Sequence, residues 1–464
     1  MDKSTASPRW IRDWNPEDET YWRSTGKRIA RRNLFWSILA ENIGFSVWLI
    51  WSVVATRLNK IGFHYTTDQL FQLVALPGLV GSLMRFPYTF AVPRFGGRNW
   101  TIVSALLILI PASALALLVG RPETPFWLMA AAAATAGLGG GNFASSMANI
   151  SFFFPDREKG WALGLNAAGG NIGVSTVQLL VPILIGYGFI NLGLCAPRGK
   201  PPIYLQNAGL MWIPLILVAA LGAALYMNNL TSARSTFRDQ LAVVRHKHTW
   251  IMAWLYIGTF GSFIGYSAAF PLLIKTQFPM VTANLAFLGP LVGSLARPLG
   301  GRLADRIGGA RVTFWNFLVM GVAAFGVLYA LDAHSFGAFL LMFLILFVTT
   351  GLGNGSTFRM IPVIFRRQAQ RAVEGLPAAA QAVELDRARR TSAAVLGFTS
   401  AIGACGGYLI PRGLGASIKA TGGATTALGC FVAFYASCLA LTWWHYTRTT
   451  FLVRAVPSLA EAEI

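Results

Sequence analysis

Residues 79–97 read LVGSLMRFPYTFAVPRFGG, and residues 291–309 read LVGSLARPLGGRLADRIGG. At an offset of 212 residues the pentapeptide LVGSL, two arginines and the closing Gly-Gly pair all recur. Arg85 and Arg297 occupy the same place in the two copies, each within a long apolar segment. An arginine at the centre of a membrane helix costs about 2.5–3.5 kcal/mol on insertion scales. The repetition of so unfavourable a residue indicates two related halves that share an anionic ligand.

The composition around this repeat is that of a helical membrane protein. Hydrophobic residues make up 55% of the 464 residues and charged residues only 12%, whereas soluble domains carry about 25% charged residues. Apolar runs of about 20 residues match a membrane-spanning helix, whereas barrel strands alternate over about 10 residues. The runs predict twelve spans, near 35–57, 68–92, 99–120, 125–154, 161–189, 207–227, 249–274, 284–304, 311–331, 336–365, 391–411 and 424–446.

The net charge of +20 follows the predicted topology. With the N-terminus in the cytoplasm, cytoplasmic segments hold 27 of the 38 Lys and Arg residues and external loops hold 8. This positive-inside pattern predicts that both termini are cytoplasmic. It also favours anionic membrane lipid, and not nucleic acid, as the partner of the basic surplus. The first 34 residues are polar and lack the apolar core of a signal peptide.

The predicted fold class is an all-α polytopic membrane protein with two pseudo-symmetric six-helix halves. The predicted parts are a cytoplasmic N-terminal segment (1–34), an N-terminal six-helix half (35–227), a cytoplasmic linker (228–248), a C-terminal six-helix half (249–446) and a cytoplasmic tail (447–464). The four cysteines indicate no disulfide framework, and no Cys/His spacing resembles a metal site. They are Cys195, in an external loop, and Cys405, Cys430 and Cys438, in apolar helices.

Glycine-rich helices flank the repeat in both halves. GLGGGNFASSMANISFFFP (137–155) is answered in the second half by GLGNGSTFRMIPVIF (351–365), and ALGLNAAGGNIGVS (162–175) by LGFTSAIGACGG (396–407). Small residues at helical spacing let backbones approach closely, and their Ser and Asn neighbours must bond across helices or line a cavity. The glycines predicted to act in packing and gating are Gly137, Gly139, Gly141, Gly164, Gly169, Gly351, Gly353 and Gly355.

Glu41 is the one acidic residue well inside a predicted span. An isolated ionised carboxylate is costly there, so it is expected to be protonated or to have a cationic partner. Two interpretations stay open at this point. Glu41 is either a structural carboxyl near the cytoplasmic interface or a site of proton coupling.

Several of these motifs resemble a known family. GRLADRIGGAR (301–311), which contains Asp305, resembles the signature loop of the major facilitator superfamily, although Pro93 stands at the matching place of the first copy. GNFASSMANISFFFP (141–155) resembles the nitrate signature of the nitrate/nitrite porter (NarK-type) family, and GNGSTFRMIPVIF (353–365) resembles its second-half counterpart. The similarity extends over essentially the whole chain. It implies the major facilitator fold, in which the substrate site lies near the bilayer midplane.

The resemblance also implies roles for individual residues. Arg85 and Arg297 would clamp the anion, and Asn171 would donate a hydrogen bond to it. Aromatic residues at matching positions would wall the site, with ordinary core packing as the alternative for each ring; they are Phe45, Phe143, Tyr256 and Phe260. Nitrate is planar and singly charged, so planar guanidinium donors suit it better than an ammonium group. One anion held by two arginines turns their mutual repulsion into two attractions, which favours exchange of one anion for another.

The resemblance does not decide whether nitrate transport is coupled to protons or to exchange of a second anion. In the family that this chain resembles, the exchanger-type members lack an acid at the position of Glu41. They carry Gln at the position of Arg359. We therefore hypothesise that Glu41 and Arg359 pair or are coupled, which favours nitrate/proton symport. Nitrate/nitrite antiport and transport of another small monovalent anion remain alternatives.

Other functional classes are disfavoured by the sequence. It contains no HExxH, no Walker loop and no haem-ligand His pair within a span, so neither an enzyme nor a cofactor is expected. The expected partners are nitrate, nitrite, protons and membrane lipid. The expected location is the bacterial inner membrane, as a monomer.

Overall fold

The computed structural model describes residues 9–188, 202–231, 242–375, 377–449 and 459. The chain divides into two compact units, Met1–Ser235 (unit 1) and Thr236–Ile464 (unit 2). The division falls within 228–248, the segment predicted as a linker, while the ends of the two predicted halves stay predictions. Cys195 lies outside the described residues.

Unit 1 is built of helices, apart from one short strand pair. Its helices are α1 (Glu19–Tyr21), α2 (Lys27–Trp48), α3 (Trp51–Leu58), α4 (Thr67–Phe95), α5 (Gly97–Leu107), α6 (Leu109–Leu118), α7 (Phe126–Thr135), α8 (Gly137–Phe153), α9 (Asp156–Leu184), α10 (Asn207–Leu210) and α11 (Trp212–Tyr226). The strands are β1 (Trp10–Ile11) and β2 (Asn229–Leu230), which pair in parallel.

All the regular elements in the described part of unit 2 are helical. Its helices are α12 (Lys247–Tyr256), α13 (Ser262–Gln277), α14 (Leu288–Ile307), α15 (Gly309–Asp332), α16 (Phe336–Ala372), α17 (Ala378–Ala404), α18 (Gly406–Thr421) and α19 (Thr425–Thr442). The segment Ile257–Gly261 joins α12 to α13 as a π-helical turn.

Ten helical segments of the described chain are long and apolar enough to cross a membrane. The predicted spans near 125–154 and 284–304 are helical as well, as α7–α8 and α14, but are not among the ten. The first contains four glycines together with polar Asn and Ser side chains, and α14 contains four charged side chains. The prediction of a polytopic all-α membrane protein is therefore confirmed, and the count of twelve spans stays a prediction.

Some helices extend beyond the predicted spans. Helix α2 begins at Lys27 because the basic stretch RIARR (28–32) continues the helix outward. Helix α16 continues to Ala372, seven residues past the predicted end at 365. Apolar run length marks the part of a helix inside lipid, whereas its polar ends are limited only by capping and turn residues.

The two copies of the repeat end in the same backbone turn. Helix α4 stops at Gly96 with a φ of +85°, and α14 stops at Gly308 with a φ of +91°. Glycine adopts this left-handed region without the steric penalty of a Cβ atom. The recurrence of Gly-Gly at the end of both stretches thus corresponds to a shared sharp turn between consecutive helices.

Two matching glycines bring helix backbones into direct contact. A Cβ atom at Gly139 would lie 2.2 Å from the carbonyl oxygen of Gly44, and one at Gly351 would lie 2.0 Å from that of Gly293. Gly137, Gly141, Gly169, Gly353 and Gly355 also leave no room for a Cβ atom. Gly164 differs, because a Cβ atom there would meet nothing within 4 Å in the described structure.

The N-terminal segment is attached to one end of unit 1. In the β1–β2 pair, Trp10 lies opposite Asn229. The Asn229 side chain in turn accepts hydrogen bonds from the backbone N–H groups of Arg98 (2.9 Å) and Asn99 (3.3 Å), and so caps the start of α5. The start of the described chain and the end of α11 therefore lie at the same end of this unit.

Candidate functional site

Arg85 is fully buried within unit 1. Its guanidinium carbon lies 4.6 Å from the centroid of the Phe143 ring and 5.6 Å from that of Trp48. Its Nε donates to the carbonyl oxygen of Gly140 over 3.2 Å. Aromatic faces stabilise a desolvated guanidinium by about 0.5–2 kcal/mol. Because the rings cover the face of the guanidinium, an anion is best bound at its edge, where the N–H groups lie in the plane.

The aromatic rings around Arg85 are themselves held in place. Phe45 packs edge-on against Trp48, with ring centroids 5.2 Å apart, and in a tilted arrangement against Phe143, at 6.2 Å. The Trp48 indole N–H donates to the carbonyl oxygen of Pro77 over 2.7 Å. A Cβ atom at Gly81 would overlap the Trp48 ring, so the glycine is required for this packing. Helices α2, α4 and α8 together form the wall of this arginine.

A polar cluster lies on the same helix as Phe45, one turn closer to the N-terminus. Glu41 is buried, and its Oε2 accepts hydrogen bonds from Ser146 Oγ (2.5 Å) and Asn166 Nδ2 (2.8 Å). Ser146 Oγ is also 3.0 Å from Ser37 Oγ. One helical turn is about 5.4 Å, so the carboxyl and the aromatic wall are close neighbours along α2.

Asn171 lies next to this cluster on α9. It is buried, and its Oδ1 has no hydrogen-bond partner among the described residues. The preceding Gly170 packs directly on Glu41, since a Cβ atom there would lie 2.4 Å from Oε1. The predicted anion-binding amide is therefore next in sequence to the α9 residue that contacts the predicted proton-coupling carboxyl.

Unit 2 surrounds its arginine in a related way. Arg297 is 4% exposed, and its guanidinium carbon lies 5.7 Å from the centroid of the Phe358 ring. Helix α16, which carries Phe358, approaches closely because a Cβ atom at Gly355 would lie 2.3 Å from the Arg297 carbonyl oxygen. Each unit therefore buries one arginine of the repeat against a phenylalanine of its glycine-rich helix.

The two predicted aromatic residues of unit 2 flank the π-helical turn. Tyr256 and Phe260 stack with ring centroids 5.4 Å apart, and Tyr256 lies 5.9 Å from Phe358. Both are fully buried. A π-turn inserts an extra residue into the helix and is frequent at functional sites. Here it brings side chains four positions apart into a stack beside the Arg297 ring partner.

Arg359 makes an ion pair with Asp305 of the superfamily loop. Both side chains are about half exposed, at 52% each. The hydrogen-bond donors to Glu41 described above belong to Ser146 and Asn166. The hypothesised pairing or coupling of Glu41 with Arg359 stays a prediction, and Arg359 bonds to Asp305 in the last turn of α14.

The structure groups the residues predicted for the site within each unit. Unit 1 brings Arg85, Phe45 and Phe143 together, with Asn171 and Glu41 adjoining. Unit 2 joins Tyr256, Phe260 and Arg297 through Phe358. Sequence analysis missed Trp48 and Phe358, and it expected the Ser and Asn residues of the glycine-rich helices to bond across helices without assigning any of them to Glu41. Phe358 had a signal, since each glycine-rich motif contains a phenylalanine, whereas nothing in the local sequence marked Trp48.

These features are those of a multi-pass membrane transporter. Residues 37–383 match the Major Facilitator Superfamily. The nitrate/nitrite transporter NarU of Salmonella typhimurium is 46% identical, with 94% of this chain and 96% of NarU covered. The probable nitrate/nitrite antiporter NarK2 of Thermus thermophilus is 38% identical, with 96% and 98% covered. The chain belongs to the nitrate/nitrite porter (NarK-type) family of the major facilitator superfamily, whose members are transporters and not enzymes.

A solved structure supports the fold independently. The bacterial homolog of the human lysosomal transporter Spinster matches with a TM-score of 0.62 at 14% identity, over 90% of this chain and 97% of that one. At this identity the likeness shows the fold alone.

Proposed function

We propose that this chain transports nitrate, and nitrite, across the bacterial inner membrane by alternating access, with the anion held by Arg85 and Arg297. The observation that carries the proposal is the burial of one repeated arginine against an aromatic ring in each unit. The names of the relatives support nitrate and nitrite as the substrates. The participation of both arginines rests on their matching places in the sequence repeat.

The chemistry of the two arginines favours a small planar anion. Their ring partners cover guanidinium faces and leave in-plane N–H donors, which match the oxygens of nitrate. Asn171 would add a neutral donor, and the rings of Phe45, Phe143, Tyr256 and Phe260 would limit the size of the site. Phosphate is larger and generally attracts lysine or histidine as well. A different small monovalent anion remains the alternative substrate.

Proton coupling is the favoured mode, with Glu41 as the coupling group. Its carboxylate accepts from Ser146 Oγ, which also lies within hydrogen-bond distance of Ser37 Oγ. A hydroxyl group both donates and accepts. A protonated Glu41 can therefore donate to Ser146, whose own proton turns to Ser37. The cluster accommodates both states of the carboxyl, as a nitrate/proton symporter requires.

Nitrate/nitrite antiport is the second mode, and it is suggested by the relative NarK2, a probable nitrate/nitrite antiporter. Under antiport Glu41 is a structural carboxyl that joins three helices. Movement in both modes would use the close glycine contacts of α8, α9 and α16. Both termini would be cytoplasmic, and the carrier would act as a monomer in contact with anionic lipid.

The test is nitrate uptake into proteoliposomes that contain the purified protein. One set has an inward proton gradient and no internal anion, and the other has internal nitrite and no gradient. Arg85→Gln protein in matched vesicles measures leakage. Accumulation with the gradient alone establishes symport, and accumulation with internal nitrite alone establishes antiport. Absence of uptake in both sets, with folded protein, overturns the nitrate assignment.

A further inference from the structure

Asn354 is a buried amide for which the described part of unit 2 supplies no hydrogen-bond partner. It lies in α16, its side chain has no exposed surface, and neither Oδ1 nor Nδ2 is bonded to another described residue. Buried side-chain amides are almost always hydrogen-bonded in native proteins. An unpaired polar group is especially unfavourable inside a membrane, where bulk water cannot replace the missing partner. The amide is therefore expected to bind a group that enters from outside the chain.

The position of Asn354 on its helix indicates which group this is. At 3.6 residues per turn, Asn354 shares a face of α16 with Thr357 and Phe358. Phe358 is the ring beneath the Arg297 guanidinium, at 5.7 Å. Thr357 is bonded through its hydroxyl to Thr259, which lies within the π-helical turn between Tyr256 and Phe260. Asn354 thus belongs to the helix face that contacts the Arg297 site.

A neighbouring buried asparagine, Asn316, offers a comparison for the hydrogen bonding of Asn354. Asn316 of α15 is also buried, and its Nδ2 donates to Met320 Sδ over 3.3 Å. It contacts α16 beside Asn354, since a Cβ atom at Gly353 would lie 2.4 Å from its Nδ2, and its Oδ1 has no hydrogen-bond partner among the described residues. Asn316 therefore has one partner within unit 2, at Met320, whereas neither amide atom of Asn354 has a partner among the described residues.

We propose that Asn354 is a further substrate-binding residue, whose Nδ2 donates to an oxygen of the anion held by Arg297. This inference rests on the proposed function. It gives unit 2 a neutral amide donor comparable to Asn171 in unit 1. A neutral donor adds a hydrogen bond without adding to the repulsion between two arginines. Oδ1 then accepts from water that accompanies the anion.

The test is isothermal titration of purified protein in detergent with sodium nitrate. Asn354→Leu removes the amide at nearly constant volume, and Asn354→Asp places a carboxylate against the anion. We expect the leucine variant to raise the Kd for nitrate by about tenfold, the effect of one hydrogen bond to a charged ligand. We expect no measurable binding by the aspartate variant. Asn316→Leu, the matched control, should change the Kd by less than about twofold even if it lowers the melting temperature.

The outcomes separate this inference from the function on which it rests. If wild-type protein binds nitrate and the Asn354→Leu variant binds it equally well, Asn354 does not contact the anion and the inference is overturned. If folded wild-type protein binds no nitrate, the proposed function fails and this inference fails with it. If the leucine variant does not fold, Asn354→Ser replaces it, because serine shortens the side chain without adding bulk. The inference then stands only if the serine variant binds nitrate more weakly than wild type.

Discussion

Asn166 Nδ2 donates a hydrogen bond of 2.8 Å to Glu41 Oε2, and this bond joins α9 to α2 at a buried carboxyl group. Ser146 of α8 donates to the same oxygen. Three helices of unit 1 therefore meet at one titratable side chain, a single turn from Phe45 in the wall around Arg85. A change in the protonation of Glu41 must rearrange hydrogen bonds on all three helices.

Glu41→Gln should separate the two modes of transport. Glutamine keeps the shape of the side chain and its bonds with Ser146 and Asn166, but it cannot gain or lose a proton. We expect exchange of nitrate for internal nitrite to continue while uptake driven by a proton gradient is lost. Initial rates in proteoliposomes measure both activities. Proton-driven uptake that persists in this variant contradicts a coupling role for Glu41.

Arg85→Lys and Arg297→Lys should each weaken nitrate binding by about 10- to 100-fold, because an ammonium group lacks the planar fork of donors. Titration calorimetry measures the loss. Arg94→Lys is the control, since Arg94 belongs to the same repeat and its guanidinium contacts Phe95, a half-exposed ring. Equal effects of all three substitutions would indicate a general loss of folded protein and no specific anion site.

Phe143→Leu should weaken the support of the Arg85 guanidinium. Removal of the ring costs about 0.5–2 kcal/mol of cation–π energy in addition to the packing lost on truncation. Phe153→Leu is a matched control on the same helix, because Phe153 is fully buried in a separate hydrophobic cluster with Trp22 and Leu34. Both variants should melt earlier than wild type, and only Phe143→Leu should raise the Kd for nitrate.

Two glycines of the predicted gating set should respond oppositely to alanine. Gly139→Ala places a methyl group against the backbone carbonyl of Gly44 and should destabilise the protein by about 1–3 kcal/mol. Gly164→Ala meets open space and should stabilise the helix by up to about 1 kcal/mol. Thermal unfolding in detergent measures both changes. A loss of stability in the Gly164 variant would show that the described packing at α9 is incomplete.

The Asp305–Arg359 ion pair should add little to stability. Both side chains are about half exposed, and exposed ion pairs are generally worth no more than about 1 kcal/mol. A double-mutant cycle with Asp305→Asn and Arg359→Gln should give a coupling energy within that limit. Proton-driven uptake should continue in Arg359→Gln, since its ion-pair partner is Asp305. Loss of that uptake would support Arg359 as a coupling residue.

Much of the architecture could be predicted from the sequence by local arguments. The apolar runs predicted where the long helices of the structure lie, because the length of a run reflects the thickness of the bilayer. The repeat predicted that Arg85 and Arg297 would be equivalent, and both prove to be buried against phenylalanine rings. Family membership followed from motifs of contiguous residues. Helix ends such as Ala372 were missed, since they lie outside the apolar run.

The partners of the functional side chains were decided only by the tertiary structure. Glu41 and Asn166 are 125 positions apart in the chain, and Arg359 and Asp305 are 54 apart. Sequence spacing reports which side chains share one helix face, and it contains no information about which faces of different helices meet. That choice depends on close backbone contacts such as Gly139 with Gly44, which set the distance and register between helices. The sequence by itself therefore determined the class, the repeat and the residue types of the site, and helix packing determined that Glu41 bonds to Ser146 and Asn166 while Arg359 bonds to Asp305.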